Sequence, residues 1–271
     1  MPIMNRLYQA EGSLSGLLSN SSTVRKTEVG FLGAQEHHRE DDMERYTIFL
    51  KLYNELADFL TAFADSDEYE RFYRLVELAS EKSSVVKLHA QELKKYGDFR
   101  NVIVHNNEFA SEPTEETLER FQTLLQKIFS PEKLLPAFQK DVRCFAPSES
   151  VAVVLGYLRL TGYSQVVVQA ESGLDLLTLD GIGRWLSLAA DDGTVLLKKS
   201  AVEEVLEHES QGNFRVMTPQ QTIYDAKEAF SQRIGPRKIR LQAIIITANG
   251  SSKEKPLGLV TPWDVLEDTS H

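Results

Sequence analysis

Thr261 and Asp264 carry a hydroxyl and a carboxylate at a point where an apolar strand pattern gives way to a helical one. At this spacing the carboxylate lies one helical turn beyond the hydroxyl, where it can accept two hydrogen bonds from a ribose diol. The free backbone amides of the same helix N-terminus suit a phosphate group. The pair predicts a nucleotide site, although a threonine N-cap with an acid in the first turn would give the same pattern by helix capping alone.

Two β-hairpins about 77 residues apart would place such strand-to-helix turns in the chain. Each shows short β-branched runs around a turn, follows an amphipathic run and precedes a helix start. The strands are predicted at 165–170 with 174–178 and at 241–247 with 256–261, and the amphipathic runs at 151–160 and 222–230. The simplest description is an internal repeat of strand, helix, strand, strand, helix.

Thr178 closes the first hairpin as Thr261 closes the second. Gly181 stands where the second repeat has its aspartate, so the first repeat lacks the corresponding carboxylate unless the adjacent Asp180 substitutes for it. We therefore expect the two repeats to offer unequal sites.

The N-terminal half has a different periodicity. Apolar residues recur at steps of three and four between positions 46 and 128, which predicts an all-helical bundle over 43–130. Breaks are expected at Asp65–Asp67 and before Thr114, which is a good N-cap for the last helix. Residues 1–42 are polar and are interpreted as an arm or a loosely docked segment, with helix allowed in part of it.

Composition restricts the classes of protein that fit. The chain has 271 residues, 42% of them hydrophobic, and a formal net charge of -10. Residues 1–140 carry 17 basic and 23 acidic side chains, and residues 141–271 carry 13 and 17, which disfavours a general nucleic-acid binder. Apolar stretches are far shorter than the roughly 20 residues of a membrane span. With its single cysteine, Cys144, in an apolar run, the chain is expected to be cytoplasmic, without a membrane partner.

Residues 258–266 (Gly-Leu-Val-Thr-Pro-Trp-Asp-Val-Leu) resemble the closing motif of cystathionine-β-synthase (CBS) domains. Residues 176–186 resemble a variant of the same motif. The resemblance implies an α+β chain in which the helical bundle is followed by tandem CBS-type β-α-β-β-α repeats at 138–208 and 211–268. In that family two repeats form a pseudo-twofold pair with packed sheets and two clefts, and the pair is regulatory rather than catalytic.

The CBS resemblance also implies a ligand and its contacts. The ligand would be an adenine nucleotide (AMP, ADP, ATP or a cyclic dinucleotide), and no metal cofactor is predicted. The residues assigned to the ligand are Thr261, Asp264, Gln242, Ala243, Val216, Met217 and, in the first repeat, Thr178. Four cations between Arg233 and Arg240 would meet a polyphosphate tail, or would simply form a solvated loop.

A second resemblance lies in the helical half. Arg100, Asn101 and His105 match the Arg-x4-His signature of HEPN domains, small helical bundles that often act as metal-independent ribonucleases. There the guanidinium would stabilise charge on the scissile phosphate, and the imidazole would move the proton of the attacking 2′-hydroxyl. Alternatively, His105 is a cation at a helix C-terminus, followed by Asn106 as a stop signal.

Three functional hypotheses follow from the sequence. The first is a regulatory protein that senses adenine nucleotides through the CBS-type pair and signals to an unidentified partner. The second is an RNA-cleaving helical domain controlled by that pair. The third is an interaction scaffold whose clefts are filled by its own side chains. A homodimer is expected by resemblance, because CBS-type pairs commonly bury exposed helices against a second copy.

Overall fold

The structure is a computed structural model that describes residues 33–64, 70–105, 113–189, 197–234 and 239–267. The chain divides into two compact units, residues 1–131 and 132–271. Within the described ranges, no helix combines the length and the apolar character needed to cross a lipid bilayer.

All the regular secondary structure described in the first unit is helical. Its helices are α1 (Gly33–Thr61), α2 (Phe72–Lys82), α3 (Ser84–His105) and α4 (Glu115–Phe129). The apolar stripes expected from the sequence form its core, in which Phe49 of α1 packs against Phe121 of α4 with ring centroids 5.2 Å apart. Thr114 caps α4 as predicted, because its hydroxyl accepts the backbone N–H of Thr117 at 3.2 Å.

Helix α1 begins at Gly33, well before the start of the predicted bundle at residue 43. Much of the intervening segment consists of good helix formers such as Glu and Arg, which extend a helix without needing a buried face. The rest of the predicted arm and the break at Asp65–Asp67 lie outside the described residues.

The second unit starts with one helical turn, α5 (Leu134–Ala137), and then contains a strand and helix pattern that occurs twice. The first occurrence comprises β1 (Cys144–Phe145), α6 (Val151–Thr161), β2 (Gln165–Ala170), β3 (Gly173–Thr178) and α7 (Leu179–Ala189). A short helix, α8 (Val202–Leu206), then leads to the second occurrence. This comprises β4 (Phe214–Met217), α9 (Ile223–Ser231), the two-stranded pair β5 (Arg233–Ile234) and β6 (Ile239–Arg240), β7 (Ala243–Ile246), β8 (Gly258–Val260) and α10 (Pro262–Glu267).

Each repeat builds a three-stranded sheet with the same pairing. The first strand runs parallel to the second, so that Cys144 faces Val167 and Phe214 faces Ala243. The second strand then pairs antiparallel with the third through a hairpin. Both hairpins were predicted from the sequence, and the mixed α+β class is confirmed.

The two sheets pack face to face. Because side chains alternate along each strand, one face of each sheet packs against its own helices and the other against the second sheet. Val166 and Val168 of β2 face the helices of the first repeat, whereas Val167 faces the second sheet. In the same way, Ile244 of β7 faces its own helices and Ile245 contacts the first sheet. Both central strands are therefore buried on both sides.

The segments that lead into β1 (residues 134–143) and into β4 (residues 207–213), called the lead segments below, cross between the repeats. Leu134 joins the core of the second repeat, although β1, the strand it precedes, belongs to the first. A Cβ atom at Gly258 would lie 2.3 Å from the Phe138 carbonyl oxygen, so this close approach of the lead segment to β8 requires glycine. Near the start of β1, burial raises the pKa of the half-buried Cys144 thiol.

Candidate functional site

The turn from β8 into α10 places the predicted hydroxyl and carboxylate in direct contact. Oδ2 of Asp264 accepts the backbone N–H of Thr261 at 2.6 Å and the Thr261 hydroxyl at 2.8 Å. Among the described residues, no hydrogen-bond partner is found for Oδ1 of Asp264. One carboxylate oxygen is thus held by the turn, and the other retains its capacity to accept hydrogen bonds.

Thr261 and Asp264 line a cavity of about 320 Å³ within the second unit. Its walls come from four places: the lead segment into β1, the segment from α6 into β2, the residue just before β7, and the segment from β8 into α10. The other lining residues are Lys140, Asp141, Val142, Arg143, Tyr157, Gly162, Tyr163, Ser164, Gln165, Val166, Val167, Gln242, Leu259, Pro262 and Trp263. Both repeats therefore contribute walls to one cavity.

The charged side chains of the cavity balance, because Lys140 and Arg143 stand against Asp141 and Asp264. The Arg143 guanidinium lies 5.0 Å from the centroid of the Tyr157 ring and is oriented by it. Cations and aromatic faces in one cavity suit a ligand with an anionic group and a flat ring. No group of three His, Cys, Asp or Glu side chains placed to hold a metal ion occurs among the described residues.

Gln165 and Gln242 occupy corresponding places at the start of β2 and just before β7, and both line the cavity. The Gln165 side-chain amide donates to the Gln242 carbonyl oxygen at 3.2 Å. Gln242 in turn donates its backbone N–H to the Asn213 carbonyl oxygen at 2.6 Å. The first bond joins the two repeats beside the cavity, and the second fixes Gln242 within its own repeat.

The corresponding turn of the first repeat is built differently. The backbone N–H and the hydroxyl of Thr178 donate to Oε1 of Glu209, at 2.6 and 2.9 Å. Glu209, and not Asp180, supplies the carboxylate that the first motif lacks. Thr178 is only 5% exposed and lies beneath that carboxylate.

Comparisons with known proteins were made on both sequence and structure. No protein-family profile matches the chain, and no curated protein sequence matches it. The similar solved structures include CBS-domain proteins. One from Thermoplasma acidophilum, of unknown function, is 11% identical over 51% of this chain and 68% of its own, with a TM-score of 0.37.

Two further CBS-domain structures show a likeness of the same extent. The CBS-domain containing protein from Agrobacterium tumefaciens is 17% identical over 48% of this chain and 90% of its own, with a TM-score of 0.34. CBSX2, solved in complex with AMP, is 12% identical over 51% of this chain and 96% of its own, with a TM-score of 0.37.

Of the residues assigned to the ligand by sequence, Thr261, Asp264 and Gln242 line the cavity. Ala243 lies in the core between the sheets, and Met217 lies in the core of the second repeat. Val216 and Thr178 are also outside the cavity lining. The structure thus brings together three of the seven.

The basic segment Arg233–Arg240 also lies away from the cavity lining in its described part. Arg233 and Arg240 face each other across the pair β5 and β6, while residues 235–238 are outside the described ranges. The cations that line the cavity are instead Lys140 and Arg143.

In the helical unit, Arg100 and Asn101 lie near the end of α3. Nη1 of Arg100 lies 3.5 Å from Oδ1 of Asn101, and its guanidinium is 5.9 Å from the centroid of the Tyr53 ring. The side chain of His105 is outside the described residues, so the structure does not test whether the three HEPN-like positions form a site. The ribonuclease hypothesis stays a prediction.

Several cavity residues had no signal in the sequence. Lys140, Arg143 and Tyr157 come from the first repeat, whereas the recognised motif belongs to the second. Trp263 lies inside the motif and is 73% exposed where it lines the cavity. To predict these residues from the sequence, one would have to know that the lead segment into β1 crosses to the second repeat, as Leu134 shows.

Proposed function

We propose that this protein is a regulatory sensor that binds an adenine mononucleotide in the cleft of a CBS-type pair formed by its two repeats. The observation that carries the proposal is how the Asp264 carboxylate is hydrogen-bonded. Thr261 fixes one of its oxygens at the wall of the cavity, and the other has no partner among the described residues. A ribose diol supplies the two donors that such a carboxylate accepts.

Adenine is proposed because of the motif at residues 258–266, and the cavity adds a limit on size. Ligand pockets span roughly 300–1,000 Å³, so a cavity of about 320 Å³ is at the small end of that range. This favours AMP or a similar mononucleotide over a cyclic dinucleotide. Lys140 and Arg143 would meet its phosphate, and the tyrosine and tryptophan rings of the lining would meet its base.

The proposal is tested by thermal unfolding of the full chain with AMP, ADP, ATP and GMP. A ligand at 100 times its Kd stabilises a protein by about 2.7 kcal/mol, so AMP should raise the Tm by several degrees. Asp264→Asn keeps the shape of the side chain but loses its charge, and should remove most of the shift.

The matched control is Asp180→Asn, an exposed aspartate at the start of α7 that lies outside the cavity lining. This variant should show the same AMP-induced rise in Tm as the wild type. The proposal fails if none of the adenine nucleotides changes the Tm of the wild-type protein, or if Asp264→Asn responds to AMP as strongly as the wild type does.

A further inference from the structure

Glu209 occupies in the first repeat the place that Asp264 occupies in the second. Each carboxylate accepts both the backbone N–H and the hydroxyl of the threonine that ends the third strand. The distances are 2.6 and 2.9 Å for Glu209 with Thr178, and 2.6 and 2.8 Å for Asp264 with Thr261. Glu209 comes from the lead segment of β4, just as Lys140 and Arg143 come from that of β1.

Gly181 leaves the space that the Glu209 carboxylate needs, because glycine has no side chain. A Cβ atom on Gly181 would lie 2.0 Å from Oε1 of Glu209 and 2.3 Å from its carboxyl carbon. Any side chain at this position, aspartate included, therefore competes with the Glu209 carboxylate for the same space. The first motif has glycine in place of aspartate, and this glycine leaves the space that the Glu209 carboxylate occupies.

The two carboxylates differ in what their second oxygen does. Oε2 of Glu209 accepts the Asn213 side-chain amide at 3.0 Å and pairs with Arg184 at 3.3 Å. Arg184 is itself held by a bond from its Nε to the His208 carbonyl oxygen at 2.9 Å. The Glu209 side chain is 9% exposed, so the chain itself has already met its capacity to accept hydrogen bonds.

We propose that Glu209 fills the ribose-binding position of the first repeat, so that each chain binds one nucleotide, in the cleft at Thr261 and Asp264. This inference rests on the proposed function and adds its stoichiometry. A ribose diol at Thr178 would find both carboxylate oxygens occupied and the charge already paired with Arg184. The first repeat is thereby closed to ligand by the chain's own side chain.

Calorimetric titration of the full chain with AMP tests the count. The wild type should bind one AMP per chain, and the double variant Gly181→Asp/Glu209→Ala, once its melting curve shows that it is folded, should bind two. No binding to the wild type overturns the proposed function and this count with it. Two events in the wild type uphold the proposed function but overturn the inference, as does a single event in the folded double variant.

A double-mutant cycle tests the competition for space without any ligand. Gly181→Ala should lower the Tm of the wild type by several degrees, because the new Cβ displaces the Glu209 carboxylate. In a Glu209→Ala background the same change should leave the Tm unchanged or raise it, since alanine is the better helix former. Equal effects in the two backgrounds would show that Glu209 does not occupy the space beside Gly181.

The control for this cycle lies on the same helix. A Cβ atom on Gly183 would meet nothing within 4 Å. Gly183→Ala should therefore raise the Tm slightly and equally in both backgrounds. A loss of stability at Gly183 matching that at Gly181 would trace the effect to the helix and overturn the assignment to Glu209.

Discussion

Thr261 makes the same pair of hydrogen bonds as Thr222, at a different place in the second repeat. The N–H and the hydroxyl of Thr222 donate to Oδ2 of Asp225 at 2.7 and 2.9 Å, where they cap α9 away from the cavity lining. The two threonines hold a carboxylate through the same two donors, but in the described part of the chain only Thr222 also accepts a backbone N–H, from Asp225 at 3.2 Å, and only Asp264 lines the cavity.

Replacing each threonine by valine separates capping from binding. Thr261→Val should lose about 1 kcal/mol in the free energy of unfolding with one hydroxyl bond. Thr222→Val should lose at least as much, because the Thr222 hydroxyl also accepts the Asp225 N–H at 3.2 Å. Thr261→Val should also weaken AMP binding about tenfold, or 1.4 kcal/mol, because the Asp264 carboxylate loses one of the two hydrogen bonds that fix it. Urea unfolding and calorimetric titration measure the two effects. Equal loss of affinity in both variants would mean that the binding effect is only a loss of stability.

Trp263 offers a spectroscopic signal of cavity occupancy. The chain contains two tryptophans; Trp185 is buried in the core of the first repeat, and Trp263 is 73% exposed at the cavity. In a Trp185→Phe variant, saturating AMP should shift the emission to shorter wavelength, since a bound base would exclude water from the Trp263 indole.

The control for this signal is Trp263→Phe, which should bind AMP in calorimetry without the AMP-induced shift. Unchanged emission in the Trp185→Phe variant at saturating AMP would place the nucleotide away from Trp263, and so outside the proposed cavity.

At the scale of elements, helix α4 owes part of its stability to its N-cap. Thr114→Ala removes the acceptor for the Thr117 N–H and should lower the free energy of unfolding by about 1 kcal/mol. Thr123→Ala, on the exposed face of the same helix, replaces threonine with a better helix former and should be neutral or slightly stabilising. Urea unfolding followed by circular dichroism compares them. A similar loss in both variants would contradict the role of the cap.

The elements that the sequence predicts best are those set by local patterns. The hairpin of β2 and β3 follows from β-branched runs and a glycine turn, and α4 follows from its apolar stripe and Thr114. Helix in part of the arm was allowed, but the start of α1 at Gly33 was not located, because a charged segment shows no apolar stripe. The pair β5 and β6 was missed because two-residue strands have no period to detect.

The candidate site was predicted only where one segment holds all its parts. Thr261 and Asp264 are three positions apart and form one turn, so their contact is local. Glu209 reaches Thr178 from 31 positions further along the chain, and Arg143 comes from the opposite repeat. Such neighbours are set by the face-to-face packing of the sheets, which local periodicity does not describe.

At the scale of the whole molecule, the two units have separate cores and contain different reporter groups. Both tryptophans belong to residues 132–271, whereas the helical unit has tyrosines and none of the tryptophans. Tryptophan fluorescence therefore follows unfolding of the repeats. The helical unit supplies the long helices α1, α3 and α4, so circular dichroism at 222 nm gives most weight to its unfolding.

A nucleotide stabilises the unit that binds it, by about 2.7 kcal/mol at 100 times its Kd. Saturating AMP should therefore raise the fluorescence-detected Tm by several degrees and the dichroism-detected Tm by much less. Asp264→Asn should remove the AMP-induced rise in the fluorescence-detected Tm, which would assign that rise to binding in the cavity. Equal movement of both midpoints would contradict this expectation, because it requires the helical unit to unfold together with the repeats. In that case the helical unit would itself respond to the nucleotide, whereas separate midpoints would confine the stabilisation to the repeats.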